Sequence, residues 1–211
     1  TNVRAKGADL VLNAGDWDGD GHGDLIVRQR KKGAVKVRTG DGTGSFAKAV
    51  KIGHRMGDVR MLEVVGDMTG DGWPDLMGQP SGGAMRIYPG RGLEPLGPSY
   101  QAHSALSGTR QVGVGRWDSD GAPDILVRRG DDLLVYTGNG PGGLTGGRTL
   151  SLDLSDYDLM TGVPDVTLRD RPDLVVRERG TGRLLLVESR AGGFKSPRVI
   201  ADGAEVYDLV D

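Results

Sequence analysis

An all-β chain is predicted by three observations. Its apolar runs are short and β-branched, glycine supplies 37 of 211 residues, and one acidic motif recurs along the chain. Glycine usually makes up about 7% of a globular chain, and such an excess without a strict triplet period points to many tight turns. No segment keeps a sustained 3.6-residue apolar period, so helix is nearly excluded. The motif reads GDWDGDGHGDL at 15–25, GDMTGDGWPDL at 66–76, GRWDSDGAPDI at 115–125 and, in a worn copy, PDVTLRDRPDL at 164–174. Its closing aspartates, Asp24, Asp75, Asp124 and Asp173, are spaced 51, 49 and 49 residues apart. Four short strands per repeat of about 50 residues is the pattern of four-stranded β-propeller blades.

The elements follow in order within each repeat. A run such as ADLVLNAG or VRMLEVVG precedes the acidic loop, and its small, uniformly apolar character suits an innermost strand. After the loop comes DLIVRQ, DLMGQP, DILVRR or DLVVRE, then AVKVRTG, AMRIYPG, LLVYTG or LLLVES. A glycine-rich turn then leads into a weaker fourth strand. Bounded by Gly, Pro, Asn and Asp, each run reads as a strand. The predicted repeats span about 8–53, 59–103, 109–152 and 156–200 of one domain, with a final strand over 204–211. That strand resembles the one before each loop, and it suits either closure of a propeller or the start of a further blade.

Composition excludes several functions. The net charge is −2, which gives no footprint for nucleic acid or an anionic membrane. No apolar run approaches the length needed to span a bilayer, and TNVRAKGADLVLN does not read as a signal peptide. Without cysteine there is no disulfide scaffold, thiolate zinc site or thiol nucleophile. The chain carries no G-x-S-x-G elbow, P-loop or H-E-x-x-H, so catalysis finds no motif to support it.

The acidic loop itself points to a hard cation. Counting from Asp16 as position 1, carboxylates Asp16, Asp18, Asp20 and Asp24 fall at positions 1, 3, 5 and 9, with Gly21 at position 6. Alternate residues of a tight loop can aim oxygens at one centre, and Ca²⁺ accepts six to eight of them in irregular geometry. The backbone carbonyl of His22 completes the first set. An EF-hand is excluded because position 12 is Val27, or Gly78 in the second copy, and the flanks are strands. In the second loop Asp67, Thr69, Asp71 and Asp75, with the Trp73 carbonyl, form the second expected Ca²⁺ site. The third loop keeps Asp118, Asp120 and Asp124 but has Arg116 at position 1, where a guanidinium would neutralise the carboxylates from within. The fourth retains Asp165, Thr167 and Asp173 with Arg169 at position 5, and there a salt bridge is expected in place of a metal.

These motifs resemble the FG-GAP / VCBS-type repeat of integrin-like β-propellers, over nearly the whole chain from about residue 8. The resemblance implies four-stranded blades with Ca²⁺ held between the first and second strands. It further implies a secreted module for adhesion, ligand recognition or glycan binding, often attached to other domains. Arg116 and Arg169 depart from the calcium pattern, and four repeats are fewer than the usual seven.

Other residues complete the reading. Trp17 and Trp117, at position 2, are expected to pack beneath their loops. Trp73, Tyr88, Tyr136, His54 and His103 are the candidate ligand contacts, with Trp73 a possible stacking face for a sugar. Arg28, Arg128 and Arg177, four residues past each closing aspartate, are expected to pair with loop or neighbouring-blade acids. The expected function is therefore a Ca²⁺-stabilised, non-catalytic recognition module for a glycan or cell-surface protein. A structural spacer beside a catalytic domain and a propeller-face hydrolase are the rivals.

Overall fold

The computed structural model describes residues 6–118, 120–140 and 142–206. They form four four-stranded antiparallel sheets, each a propeller blade. The first blade contains β1 (Ala8–Gly15), β2 (Asp24–Gln29), β3 (Ala34–Arg38) and β4 (Val50–Gly53). The second contains β5 (Val59–Val64), β6 (Leu76–Pro80), β7 (Met85–Tyr88) and β8 (Tyr100–His103). The third contains β9 (Arg110–Gly113), β10 (Ile125–Arg129), β11 (Asp132–Gly138) and β12 (Leu144–Leu150). In the fourth, β13 (Tyr157–Val163), β14 (Asp173–Glu178) and β15 (Leu184–Val187) are followed by a small ribbon of β16 (Ser189–Arg190) and β17 (Gly193–Phe194). The blade is completed by β18 (Arg198–Ala201). Within each blade the strands pair in chain order, with β18 beside β15 in the fourth.

The final strand expected over 204–211 has a different start: Ala204–Val206 is a single turn of 3₁₀ helix, and 207–211 lie outside the described residues. By compactness the described residues divide into two units, residues 6–106 with 142–143, and residues 107–118 and 120–140 with 144–206. Each unit holds two blades and its own apolar core. In the first, Leu12, Trp17, Ile26, Val35, Ile52, Val59, Leu62 and Leu76 pack together. In the second, Val112, Trp117, Leu126, Met160, Leu174, Val176 and Phe194 do the same. Each core therefore draws on both blades of its unit, and the first strands of those blades, β1 with β5 and β9 with β13, lie against each other. At Gly162 a methyl group would come within 2.8 Å of the Gly113 carbonyl, so the approach of β13 to β9 needs a bare backbone there.

Candidate cation loops and the surface around Trp73

The four acidic loops share one frame, and its keystone is the aspartate at position 9. Asp24, Asp75, Asp124 and Asp173 are all buried, at 0–1% exposure, where an ionised carboxylate must be fully hydrogen-bonded. Asp24 accepts the amides of Trp17 and Asp18 on Oδ2 (2.8 and 3.2 Å) and that of Gly40 on Oδ1 (2.8 Å). Asp75 repeats this with Met68, Thr69 and Gly90, at 2.9, 2.8 and 2.9 Å. Asp124 takes the amides of Asp118 and Gly138, and Asp173 those of Thr167 and Ser189. One carboxylate thus ties the start of the loop to the end of the third strand.

The third-strand partner must lie flat on the loop. A methyl group at Gly40, Gly90 or Gly138 would come within 2.2, 1.8 or 2.3 Å of the carbonyl at loop position 8. In the fourth blade Ser189 replaces that glycine, and its hydroxyl donates to the same carbonyl, that of Pro172. The sequence showed these aspartates only as metal ligands. Their persistence in the worn fourth copy was the available signal for a structural role.

Around this frame the remaining carboxylates differ between loops. Oxygens of Asp16, Asp18 and Asp24 lie within 4.8 Å of one another, and so do those of Asp118, Asp120 and Asp124. Oxygens about 2.3–2.6 Å from a central Ca²⁺ would be separated by such distances, so both clusters fit that ion. Asp20 stands outside the first cluster and accepts the His22 amide at 2.8 Å. The second loop forms no such group among the described residues. There Asp67 receives the amides of Gly70, Asp71 and Gly72, and Asp71 that of Trp73. By donor geometry, then, the first and third loops are the better cages, although the motif ranked the second above the third.

Electrostatics reflect the crowding. Burial, followed by the charges of Asp24, Asp20 and Asp16, pushes the Asp18 carboxyl up. Burial likewise raises Asp75, and it pushes Asp124 up to about 6 against the opposing amides of Gly138, Asp118 and Trp117. A divalent cation would reverse these shifts by favouring the anions.

The arginines act differently from expectation. Arg116 is exposed and makes no ion pair among the described residues. Arg169 does form a salt bridge, but with Glu188 (3.6 Å), whose carboxylate is also met by Lys195 and Arg198. These cations hold Glu188 below the usual carboxylate range, Lys195 foremost. The fourth loop keeps its path with non-glycine residues in left-handed conformation, Leu168 (φ 55°) and Asp170 (φ 61°).

Arg28, Arg128 and Arg177 clamp the segment that leaves each blade. Arg28 donates to the carbonyls of Met56 and Val59, and Arg128 to those of Leu154 and Tyr157. Arg177 donates to Ala204, and Gln79 fills the same place in the second blade by pairing with both backbone groups of Leu106. The acids they meet belong to their own blades: Asp9 for Arg28, Asp131 for Arg128 and Asp158 for Arg177. This corrects the expectation of pairing with loop or neighbouring-blade acids.

Position 2 packs into the core, as expected, and also reaches a second blade of its unit. Trp17 is fully buried and its indole donates to the Gly92 carbonyl of the second blade, at 2.7 Å. Trp117 sits 5.0 Å from the Phe194 ring in the fourth blade. Position 7 reaches the other way. The Trp73 ring spans the turn at Gly92 and the first loop at Gly19, where methyl groups would come within 3.0 and 3.7 Å of it. It remains 37% exposed, beside Leu93 at 44%. In the fourth blade Arg171 similarly donates to the Trp117 carbonyl.

The candidate ligand contacts do not converge. Tyr88 opposes Leu76 and Tyr136 opposes Ile125, which places both at the loop end of their blades with Trp73. Tyr88 packs on the core, and Tyr136 covers Gly147. His103 opposes Met85 and Gly53 opposes Val35, so His54 and His103 lie at the opposite end and are one register step out of equivalence. Tyr100, missed in the sequence, opposes Ile87 near the second loop. Burial pushes its phenol up, with the charges of Asp75 and Asp71 adding to the shift.

A family model for the FG-GAP-like repeat matches residues 16–78, from the first loop to the strand after the second. Residues 16–78 are an FG-GAP-like repeat. No curated protein matches the chain as a relative. Two solved structures share the fold of this chain. One is an Agrocybe aegerita lectin described as specifically recognising non-reducing terminal N-acetylglucosamine, with 15% identity, TM-score 0.56 and 92% of this chain covered. The other is the lectin BP39L from Burkholderia pseudomallei, with 15% identity, TM-score 0.60 and 91% covered. The chain spans 53% and 55% of the length of those two proteins.

Proposed function

We propose that this chain is a secreted, Ca²⁺-stabilised and non-catalytic carbohydrate-recognition module. The observation that carries the reading is the partly exposed indole of Trp73, set against Gly92 and Gly19 with exposed Leu93 next to Gly92 in the chain. A rigid aromatic face flanked by polar loops suits a sugar, whose C–H face stacks on the ring while its hydroxyls meet nearby hydrogen-bonding groups. Asp20 and Asp71 are the exposed acceptors in the two loops that border it. The fold likeness to two lectins supports the same reading. Calcium in the first and third loops would act by holding those loops stiff, with Asp16, Asp18 and Asp24 as ligands in the first and Asp118, Asp120 and Asp124 in the third.

The test is binding to a glycan array that includes terminal N-acetylglucosamine, followed by titration of the best ligand with tryptophan fluorescence. Trp73→Ala is expected to weaken binding at least tenfold, about 1.4 kcal/mol or more, with the melting temperature unchanged. If no glycan binds with Ca²⁺ or with chelator, the recognition reading fails and a spacer role takes its place.

A further inference from the structure

We infer that the first blade binds an acidic polysaccharide, one bearing sulfate or carboxylate groups, at the end opposite its acidic loop. Three chain segments meet there: 6–8, 29–36 and 51–58. The Arg30 amide donates to the Gly7 carbonyl at 3.0 Å, and the Met56 amide to the Gly33 carbonyl at 2.9 Å. Gly33, at φ 54°, lies so close that a methyl group on it would come within 2.1 Å of the Gly57 nitrogen. The backbone thus fixes the turn between β2 and β3 against the chain leaving the blade. Lys6, Arg30, Lys31, Lys32, Lys51 and Arg55 are exposed in these segments, Lys36 is half-buried, and Asp58 is their single carboxylate. None of these cations forms an ion pair among the described residues, whereas nearby Arg28 holds Asp9 at 3.1 Å.

The repeat does not require this charge. The equivalent turns of the second and third blades, 81–84 and 130–131, hold no cation. Lys36 and Lys51 stand directly opposite each other in the register of β3 and β4, where like charges repel and a bound anion would relieve them. Arg55 takes a left-handed φ of 56°, a conformation for which the fourth blade uses Gly203 (φ 76°) at the equivalent place. A cleft of about 560 Å³ opens beside the turn, and Gly7, Gln29, Arg30, Lys31, Lys32 and Lys36 are among the residues lining it. Small-ligand sites run from about 300 to 1,000 Å³, so the cleft has room for a sugar unit. Lys51 and Arg55 stand outside it and would meet charges further along the polymer. Cations spread in this way suit a repeating anion better than one small ion, and lysine meets such groups without a fixed geometry. The three segments contain no Phe, Tyr or Trp, so the bases of a nucleic acid would find no stacking face.

Immobilised heparin and polygalacturonate, challenged with the whole chain in chelator, test this. The chelator prevents Ca²⁺ from bridging polymer to the acidic loops. Binding to at least one polymer is expected: heparin alone assigns the site to sulfate, polygalacturonate alone to carboxylate. Raising NaCl from 50 to 200 mM should weaken binding by about tenfold or more. Arg30→Ser/Lys31→Ser/Lys32→Ser should also weaken it by about tenfold or more, with the melting temperature unchanged, because all three side chains are exposed. The charge-matched variant Lys48→Ser/Arg116→Ser/Arg190→Ser removes exposed cations elsewhere and should bind as wild type does. If the turn variant melts lower, Lys36→Gln decides: it should weaken binding while melting no lower, since it removes a like-charge repulsion. No binding to either polymer overturns the inference, as does binding that both the turn variant and Lys36→Gln leave unchanged. Equal binding to neutral dextran, or tighter binding to duplex DNA, overturns it too. Each result is independent of the Trp73 reading, which neutral N-acetylglucosamine tests.

Discussion

A single buried aspartate per blade sets the shape of the whole acidic loop. Asp75, at 0% exposure, accepts three backbone amides from the loop start and the third strand. Asp75→Asn keeps the size but replaces one accepting oxygen by a donor facing amides. It should cost about 2–4 kcal/mol, from lost charge-assisted bonds and a buried polar group left unpaired. Urea denaturation measures it, and a loss within error would refute the keystone role. Asp124 adds a pH dependence. Its carboxyl is raised to about 6, so in the folded state it holds a proton that the unfolded chain releases near pH 4. That contribution to stability is full below pH 4 and is lost as pH rises through 6. Asp18 and Asp75 are shifted in the same direction. In chelator, the melting temperature should therefore fall between pH 5 and pH 7, and Ca²⁺ should flatten the profile.

At the scale of the element, blade boundaries were legible because strand, loop and turn chemistry repeat together. Each acidic motif marks the step from first to second strand, and the glycine-rich turns mark the step from third to fourth. The clamp was only half legible. Arg28, Arg128 and Arg177 recur visibly, but their carbonyl partners are backbone groups that no side-chain pattern announces, and Gln79 hides the fourth member. Arg128 donates three ways, to Gly130, Leu154 and Tyr157, at 2.8–2.9 Å. Arg128→Met should destabilise by about 1–3 kcal/mol by leaving the part-buried carbonyls of Leu154 and Tyr157 unpaired. Arg128→Lys should recover only part of this, because one ammonium cannot reproduce the planar fork. Chemical denaturation of the pair decides the point: equal stability of the two variants would place the effect in packing instead.

Across the molecule, the repeat made the number and order of the sheets readable, and the acid spacing made the position of the acidic loops readable. Which loops gather their carboxylates was not readable, because Asp67 turns to the amides of Gly70, Asp71 and Gly72 while its counterpart Asp16 takes that of Gly21, a difference the motif spacing does not reveal. Calorimetry with Ca²⁺ against chelator tests the cation sites together. Millimolar Ca²⁺ at about 100 times its dissociation constant should stabilise the fold by about 2.7 kcal/mol per site. Asp118→Asn should remove part of that increment and Asp67→Asn little of it; no shift on adding Ca²⁺ would defeat the proposal for both cages.

The left-handed backbone of the fourth loop carries a broader consequence. Leu168 and Asp170 follow the same left-handed path as the glycines of the first two loops, though two of the four carboxylates have been replaced by Thr167 and Arg169. The path is inherited from the interior, so the rim is free to diversify. Position 7 displays an imidazole, an indole, a methyl group and a guanidinium in turn, at His22, Trp73, Ala122 and Arg171. The four blades thus share one loop frame while the side chain at position 7 differs in each.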